Sequence, residues 1–290
     1  MKPRHESVAI QFGPLVRRMN VRIWTPPGAT RRLICTHGMG ASGAEFAVLA
    51  ERLGASGFEV ICPDWLGHGD SQFLWQVAGY RWETYVSSLV AVCRKYATGD
   101  EHLLGVSWGG MMLLLFLMYS RRRPRSALFV DTPIASNDAL IRHHRSLHEQ
   151  AEARFDSIDE AETYLFKRRP VLGQVPEHLR DYFRDARFHR QDEKIALKYD
   201  AKVVAAMGSY LGKKFDNSST FPRLKCEALF LYGETSPYRN PALFDAVRVQ
   251  HPNIAYWDAL PGGHPPSLLE EAQIAPIEAY LKTGALPAER

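Results

Sequence analysis

The stretch "GVSWGG" at residues 105–110 decides the fold of this 290-residue chain. It contains the pattern G-x-S-x-G, follows the strand-like run "HLL" at 102–104, and opens an apolar run at 111–119 that predicts a helix. A sharp strand-to-helix turn lifts a serine above the edge of a sheet, and the flanking glycines permit that turn because they carry no side chain. The pattern therefore indicates that Ser107 is a nucleophile.

On both sides of this turn, short runs rich in β-branched and aromatic residues alternate with longer runs of helical period. We predict eight strands, at residues 7–11, 21–25, 32–36, 58–62, 102–106, 127–130, 228–232 and 254–257. The first two are separated by only a few residues, including Gly13 and Pro14, which predicts a hairpin. The alternation of the others predicts an α/β fold, with a mostly parallel sheet covered by helices on both faces.

The alternation stops between residues 133 and 221. No strand is predicted there, and helical segments such as 159–165 and 196–207 dominate. We therefore predict a core domain of residues 1–132 and 222–290, with a helical cap at 133–221 inserted after the sixth strand. Such a cap should lie over the carboxyl edge of the sheet, where α/β proteins bind ligands.

The composition narrows the classes of partner. A net charge of +4 is too small to indicate a nucleic acid, and the longest apolar run, at 111–118, is too short to span a membrane. The four cysteines stand singly, with no C-x-x-C pair that would indicate zinc or redox work. Without an apolar leader at residues 1–6, we expect a cytoplasmic protein that acts on a small molecule, with a homodimer left open.

A serine nucleophile needs a histidine base and an acid that orients it. Among the 11 histidines, His264 lies in "LPGGHPP" at 260–266, a loop that follows the last predicted strand. His68 lies in a glycine-rich loop and is a weaker candidate. The histidines of the predicted cap are expected to be solvated helix residues; they are His143, His144, His148, His178 and His189. We therefore predict that His264 is the base.

In these features the chain resembles the α/β-hydrolase superfamily from about residue 21 to residue 281. The motifs that carry the resemblance are "HGMG" at 37–40, "DWLGHGDS" at 64–71, "GVSWGG" at 105–110, "GE" at 233–234 and "GGHPP" at 262–266. More narrowly, it resembles the capped single-domain bacterial branch that includes carboxylesterases, carbon–carbon bond hydrolases and some amide hydrolases. The resemblance implies a serine hydrolase with no metal and no cofactor, which forms an acyl-enzyme on Ser107.

The loop "THGMGASG" at 36–43 contains G-x-G-x-x-G, a pattern typical of dinucleotide-binding loops. Backbone N–H groups at such a turn stabilise any negative charge, whether a pyrophosphate or an oxyanion that exists only during a reaction. The resemblance implies that the N–H groups of Met39 and Trp108 form an oxyanion hole. A dinucleotide site would explain neither Ser107 nor His264, so the oxyanion hole is favoured.

The sequence departs from the family at the acid. The usual aspartate follows the seventh strand in a form similar to G-x-x-D, and here Ser236 stands in its place. A neutral hydroxyl cannot balance an imidazolium on His264. Asp131, at the end of the sixth strand, is the acid that we favour, because some hydrolases of this fold carry it there. Glu234 is the alternative acid, and a turn or helix-capping role for Asp131 is the third interpretation.

The substrate depends on the cap. The run "RHHR" at 142–145 could attract a carboxylate-bearing substrate, although a solvated helix face is the simpler interpretation. Of the bonds that such a site cleaves, a carboxylic ester is favoured over an amide or an activated carbon–carbon bond. Two other functions are compatible with the fold: a ligand-binding protein or receptor without turnover, and a cofactor-free oxygenase or perhydrolase.

Overall fold

The computed structural model of the chain describes residues 1–12, 15–211 and 214–286. The described strands are β1 (Arg4–Phe12), β2 (Leu15–Trp24), β3 (Arg31–Thr36), β4 (Phe58–Pro63), β5 (His102–Val106), β6 (Ser126–Val130), β7 (Phe188–Gln191), β8 (Lys194–Leu197), β9 (Glu227–Gly233) and β10 (Ile254–Leu260). The described α-helices are α1 (Ala47–Gly54), α2 (Trp82–Tyr96), α3 (Trp108–Tyr119), α4 (Asp138–Glu152), α5 (Ile158–Arg168), α6 (Arg180–Arg187), α7 (Ala201–Leu211), α8 (Pro241–Gln250) and α9 (Glu271–Thr283). Shorter 3₁₀ segments lie at Gly43–Phe46, Val77–Gly79, Pro170–Gln174, Glu177–Leu179 and Ser218–Arg223.

Eight of these strands form one sheet in the order β1-β2-β4-β3-β5-β6-β9-β10. Strands β1 and β2 form an antiparallel pair, β2 pairs antiparallel with β4, and all other neighbours are parallel. The predicted eight-stranded, mostly parallel sheet is therefore confirmed. The predicted turn at Gly13 and Pro14 lies outside the described residues.

The middle of the sheet is covered by helices on both faces. Every residue of β4, β5 and β6 is buried, which explains why these strands are nearly continuous apolar runs without alternation. One apolar core joins the sheet to α2, α3 and α8, and a second joins the opposite face to α1 and α9. Helix α3 begins at the carboxyl end of β5 and is buried from residue 108 to residue 117, so it lies in the interior against one face of the sheet.

The segment between β6 and β9 holds α4 to α7 and a third apolar cluster of its own. The prediction that this segment contains no strand is wrong, because β7 and β8 form a short antiparallel hairpin. The predicted helical segment 196–207 begins as the end of β8 and becomes helical only at Ala201. These four-residue strands are too short for periodicity to reveal, and the pairing of Ile195 with the distant Phe155 holds β8 in place.

Backbone contacts join this cap segment to the core. His68 pairs with Tyr199, and the Gly69 N–H donates to the Lys198 carbonyl at 2.8 Å. At the entrance and exit of the segment, Ala135 pairs with Asp216. The cap segment, residues 133–221, therefore contacts the loop that follows β4. None of the described helices is long and apolar enough to cross a membrane.

Candidate active site

Ser107 occupies a strained turn between β5 and α3. Its backbone lies at φ 51° and ψ −118°, in a region that side chains disfavour, and its N–H donates to the Val130 carbonyl at 2.8 Å. A Cβ atom added at Gly109 would lie 2.4 Å from the Thr36 carbonyl oxygen, so only glycine fits there. The turn therefore presents the Ser107 side chain at the carboxyl edge of the sheet.

Three predicted residues from separate segments meet at this edge. The Ser107 Oγ lies 2.9 Å from Nε2 of His264, and Nδ1 of the same ring lies 3.0 Å from Oδ1 of Asp131. Ser107 follows β5, Asp131 follows β6, and His264 lies in the loop after β10. The Asp131 side chain is fully buried. This chain of hydrogen bonds can move a proton from the serine to the imidazole while the carboxylate holds the ring.

The position of Asp131 explains the departure at residue 236. The Ser236 hydroxyl donates to Oδ1 of Asp131 at 2.5 Å, and the Gly233 N–H donates to Oδ2 at 2.9 Å. Ser236 and Asp131 thus lie side by side on neighbouring strand ends, and the serine orients the carboxylate. The Glu234 side chain is exposed, and no hydrogen bond or ion pair between it and His264 is found among the described residues.

Two aromatic rings enclose the imidazole of His264. Tyr238 lies edge-on with ring centroids 4.3 Å apart, and His143 of α4 lies edge-on at 5.1 Å. Burial and, to a smaller extent, the charge of the neighbouring His264 lower the pKa of His143 to about 3, so this ring is neutral near pH 7. The cap therefore contributes one wall of the site through α4.

The prediction that the cap histidines are solvated helix residues is wrong for His143, His144 and His189. His143 is half-buried against the site, and Nε2 of His144 lies 2.7 Å from the Val204 carbonyl. Together with Leu140 and Leu147 they follow the spacing i, i+3, i+4, i+7, which places all four on the inward face of α4. That spacing was present in the sequence and could have identified the face.

His178 and His189 lie elsewhere in the cap. His178 is on the surface beside Glu51, and His189 belongs to β7 and is half-buried. His148 is half-exposed on α4 and lies 3.6 Å from Glu152. Arg142 and Arg145 are exposed, as expected for a solvated helix face.

Both residues predicted to donate to the oxyanion, Met39 and Trp108, line one recess together with Ser107. Trp108 is the first residue of α3, so its N–H has no acceptor within the helix. The loop that carries Met39 passes beside the turn, because a Cβ atom at Gly38 would lie 3.6 Å from the Ser107 Cβ. Met39 and Ser107 line the same cavity, and no hydrogen bond from the Met39 N–H is found among the described residues.

A buried histidine fixes the far side of this loop. The Gly40 N–H donates to Nε2 of His68 at 3.2 Å, and the His68 ring stacks between Trp108 and Tyr199 at centroid distances of 5.8 and 6.0 Å. Burial holds the pKa of His68 well below its usual range, so the ring remains a neutral acceptor. His68 therefore positions the loop between the core and the cap.

The glycine-rich loop is already bonded to a carboxylate. The Gly43 N–H donates to Oδ1 of Asp64 at 2.7 Å, and Arg22 neutralises this buried aspartate from the other side. Burial alone would raise the pKa of Asp64, but the Arg22 guanidinium keeps it below its usual value. A pyrophosphate at this N–H would face a negative side chain, which disfavours the dinucleotide interpretation.

A cavity of about 150 Å³ lies between the Ser107 turn and the cap. The core contributes Met39, Ser107 and His264, and α4 contributes Leu147 and Gln150. Its charged side chains are three arginines and one glutamate: Arg168, Arg169, Arg187 and Glu45. Sequence reasoning missed these arginines, although the run "KRR" at 167–169 marked two of them.

Within the described part of the chain, no group of three or more histidine, cysteine, aspartate or glutamate side chains is arranged to hold a metal ion.

Comparisons with known proteins place the chain among hydrolases. A family model described as the alpha/beta hydrolase family matches residues 33–278. The 3-hydroxybutyrate-oligomer hydrolase of Cupriavidus necator is 32% identical over 168 residues, which are 57% of this chain and 56% of that protein. The proline iminopeptidase of Lactobacillus delbrueckii subsp. lactis is 32% identical over 152 residues, which are 51% of this chain and 52% of that protein. The chain thus spans about half the length of these curated relatives.

Solved structures show the same architecture over nearly the whole chain. The E-2-(acetamidomethylene)succinate hydrolase has a TM-score of 0.79 at 21% identity, covering 97% of this chain and 100% of that one. A thermophilic esterase from Thermogutta terrifontis has a TM-score of 0.69 at 20% identity, covering 96% and 98%. At these identities the likeness shows a common fold.

Proposed function

The chain belongs to the alpha/beta hydrolase family, and we propose that it is a serine hydrolase that cleaves carboxylic esters through an acyl-enzyme on Ser107. One observation carries this proposal: an unbroken series of hydrogen bonds runs from Asp131 through His264 to Ser107 at the floor of a cavity. Both the nucleophile and the base are then poised before the substrate arrives.

In the first half of the reaction, Nε2 of His264 takes the Ser107 proton as Oγ attacks the carbonyl carbon. The N–H groups of Met39 and Trp108 donate to the oxyanion that forms. When this intermediate collapses, the carbon–oxygen bond to the alcohol breaks and the imidazolium returns its proton to the leaving oxygen. The acyl group stays on Ser107, and Asp131 stabilises the imidazolium throughout.

In the second half, a water molecule gives a proton to Nε2 of His264 and attacks the acyl carbon. The second oxyanion occupies the same two N–H groups, and its collapse releases the acid and returns the proton to Ser107 Oγ. The roles of the residues are the same in both halves, so one arrangement serves acylation and deacylation.

The charge of the cavity favours an ester over a peptide with a free amino terminus. The cavity carries three arginines and one glutamate, a surplus of two positive charges. The curated relatives include a 3-hydroxybutyrate-oligomer hydrolase and proline iminopeptidases. A protonated proline terminus would bring a further positive charge among the arginines, whereas a neutral or anionic ester would not.

Pre-steady-state hydrolysis of 4-nitrophenyl butyrate tests this proposal. We expect a burst of nitrophenolate close to one equivalent of enzyme, because acylation precedes slower deacylation. Ser107→Ala should abolish the burst and lower kcat/KM by about 10⁴-fold or more. Ser120→Ala, at the other end of α3, is the matched control and should keep both. An undiminished burst in Ser107→Ala, with the fold intact, would refute the mechanism.

A further inference from the structure

The wall of the cavity formed by α5 and α6 carries two arginines directed at one glutamate. Arg169 directly follows α5, Arg187 is the last residue of α6, and Glu45 comes from the 3₁₀ segment of the core. The Arg187 Nη2 lies 3.3 Å from Oε1 of Glu45, and the Arg169 Nη2 lies 3.6 Å from Oε2. All three side chains line the same cavity as Ser107 and His264.

A single carboxylate leaves most of the donors of these arginines unused. A guanidinium has five N–H donors, and Arg187 gives one hydrogen bond to Glu45. Arg169 pairs with Glu45 by charge, at a distance beyond a hydrogen bond. Among the described residues, no other side-chain hydrogen bond is found for either guanidinium. The Arg187 guanidinium also lies over the Phe183 ring, with its carbon atom 4.8 Å from the ring centroid. No unbonded nitrogen of either arginine is found among the fully buried polar atoms of the described residues, so these donors are open to the cavities that the arginines line.

The burial of Arg187 makes these free donors significant. Its side chain is 10% exposed, and that of Glu45 is 18% exposed. Burial lowers the pKa of Arg187, while the pKa of Glu45, which burial would raise, is held below its usual value by Arg169 and Arg187. A buried cation with unused donors is stabilised when an anion supplies the missing acceptors.

We propose that Arg169 and Arg187 bind a carboxylate of the substrate, so that the substrate is an ester with a free carboxylate, such as a short oligomer of a hydroxycarboxylic acid. This inference rests on the proposed ester hydrolysis. Glu45 holds the two guanidiniums in place and competes with the incoming carboxylate, which keeps the anion from binding too tightly for release.

A second, smaller recess also opens at Ser107. This apolar recess of about 20 Å³ is lined by Met39, Trp108, Met111 and Leu140, among others. An ester bound with its carboxylate at the arginines and its carbonyl at Ser107 would place a short apolar group in this recess. The site thus divides into a cationic end, which takes the carboxylate, and a short apolar end.

A pair of substrates of similar size tests the arginines. We compare 4-nitrophenyl butyrate, which is neutral, with the mono-4-nitrophenyl ester of succinate, which carries a carboxylate. Arg187→Gln should lower kcat/KM about 30-fold for the succinate ester, mainly through KM, and less than threefold for the butyrate ester. Arg169→Gln should act in the same direction and serves if Arg187→Gln does not fold. Arg145→Gln removes the same charge from the cap surface and should leave kcat/KM unchanged for both esters.

Glu45→Gln separates ligand binding from a purely structural ion cluster. If the glutamate competes with the substrate carboxylate, this change should lower KM for the succinate ester, opposite to the effect of Arg187→Gln. If the cluster only holds the cap together, Arg187→Gln, Arg169→Gln and Glu45→Gln should all lower kcat/KM, and to the same extent for both esters. That uniform loss, or unchanged kinetics in both arginine variants, would overturn the proposal.

Binding without turnover keeps this test independent of the proposed function. In Ser107→Ala, calorimetric titration with 3-hydroxybutyrate should detect binding that the additional Arg187→Gln change weakens about 30-fold. If the wild-type protein hydrolyses neither ester but this binding difference is found, the ester hydrolysis is wrong and the carboxylate subsite stands. Equal binding to both variants would contradict the subsite.

Discussion

The core and the cap contribute to the site in different ways. In the core, Ser107, Asp131 and His264 each follow a strand directly or lie in the loop after one, and two of them stand in recognisable motifs. In the cap, Arg169 and Arg187 stand at the ends of two helices with no motif around them. The proposed chemistry thus depends on local turns at the edge of the sheet, whereas the proposed recognition of the substrate depends on how distant helices pack.

The largest effect that distinguishes the two regions is expected at the buried acid. Asp131→Asn should lower kcat by about 10³- to 10⁴-fold, because an amide neither holds the required tautomer of His264 nor stabilises its imidazolium. The loss should be the same for neutral and carboxylate-bearing esters, whereas substitution of Arg187 should affect mainly the ester with a carboxylate. Steady-state kinetics on both nitrophenyl esters measure it.

Glu234→Gln is the matched control for that change. It removes a carboxylate two strands from Ser107 at an exposed position, so activity should stay within twofold of wild type. Full activity in Asp131→Asn together with a large loss in Glu234→Gln would assign the acid to Glu234 instead.

The core was largely predictable because its signals are local. The central strands β4, β5 and β6 are continuous buried runs. The Ser107 turn requires glycine at residue 109, because a Cβ atom there would lie 2.4 Å from the Thr36 carbonyl oxygen. The structure also brings the side chains of His264 and Asp131 to Ser107. From the sequence, Ser236 could be identified only as the residue that replaces the usual aspartate. That it donates to Asp131 depends on the pairing of β6 with β9, which the sequence does not display.

The cap was harder to predict because its structure depends on contacts between distant segments. The β7–β8 hairpin is held partly by Phe155, some forty residues before β8. The inward position of His143 follows from the packing of α4, and the position of Arg187 beside Glu45 follows from the packing of α6 on the core. Charge runs on a helix are usually solvated, so the run "KRR" at 167–169 did not by itself select Arg169, and no pattern marked Arg187.

A smaller difference between the regions is expected in the pH dependence of stability. His102 in β5 is buried, and burial lowers its pKa to about 4, while burial and His264 lower that of His143 to about 3. In the unfolded chain a histidine titrates near about 6.5, so the unfolded state binds more protons below that pH. Each neutral histidine therefore contributes stability that is present above about pH 6.5 and lost as pH falls toward its folded pKa.

Between pH 7 and 5 we expect His102 to account for a loss of about 2 kcal/mol and the less buried His143 for about 1 kcal/mol. Urea unfolding of His102→Gln and His143→Gln at both pH values measures these contributions. Each substitution should reduce the change in the free energy of unfolding between pH 7 and 5 by the amount given for that histidine. A pH dependence that is unchanged in both variants would show that neither ring resists protonation in the folded protein.

Trapping the covalent intermediate tests the central claim most directly. Wild-type protein is mixed with 4-nitrophenyl butyrate, quenched in acid during the burst, digested and analysed by mass spectrometry. The peptide that contains Ser107 should carry one butyryl group, with fragment ions that locate it on the serine oxygen. Release of nitrophenolate while this peptide remains unmodified, or a butyryl group found on another residue, would contradict the account.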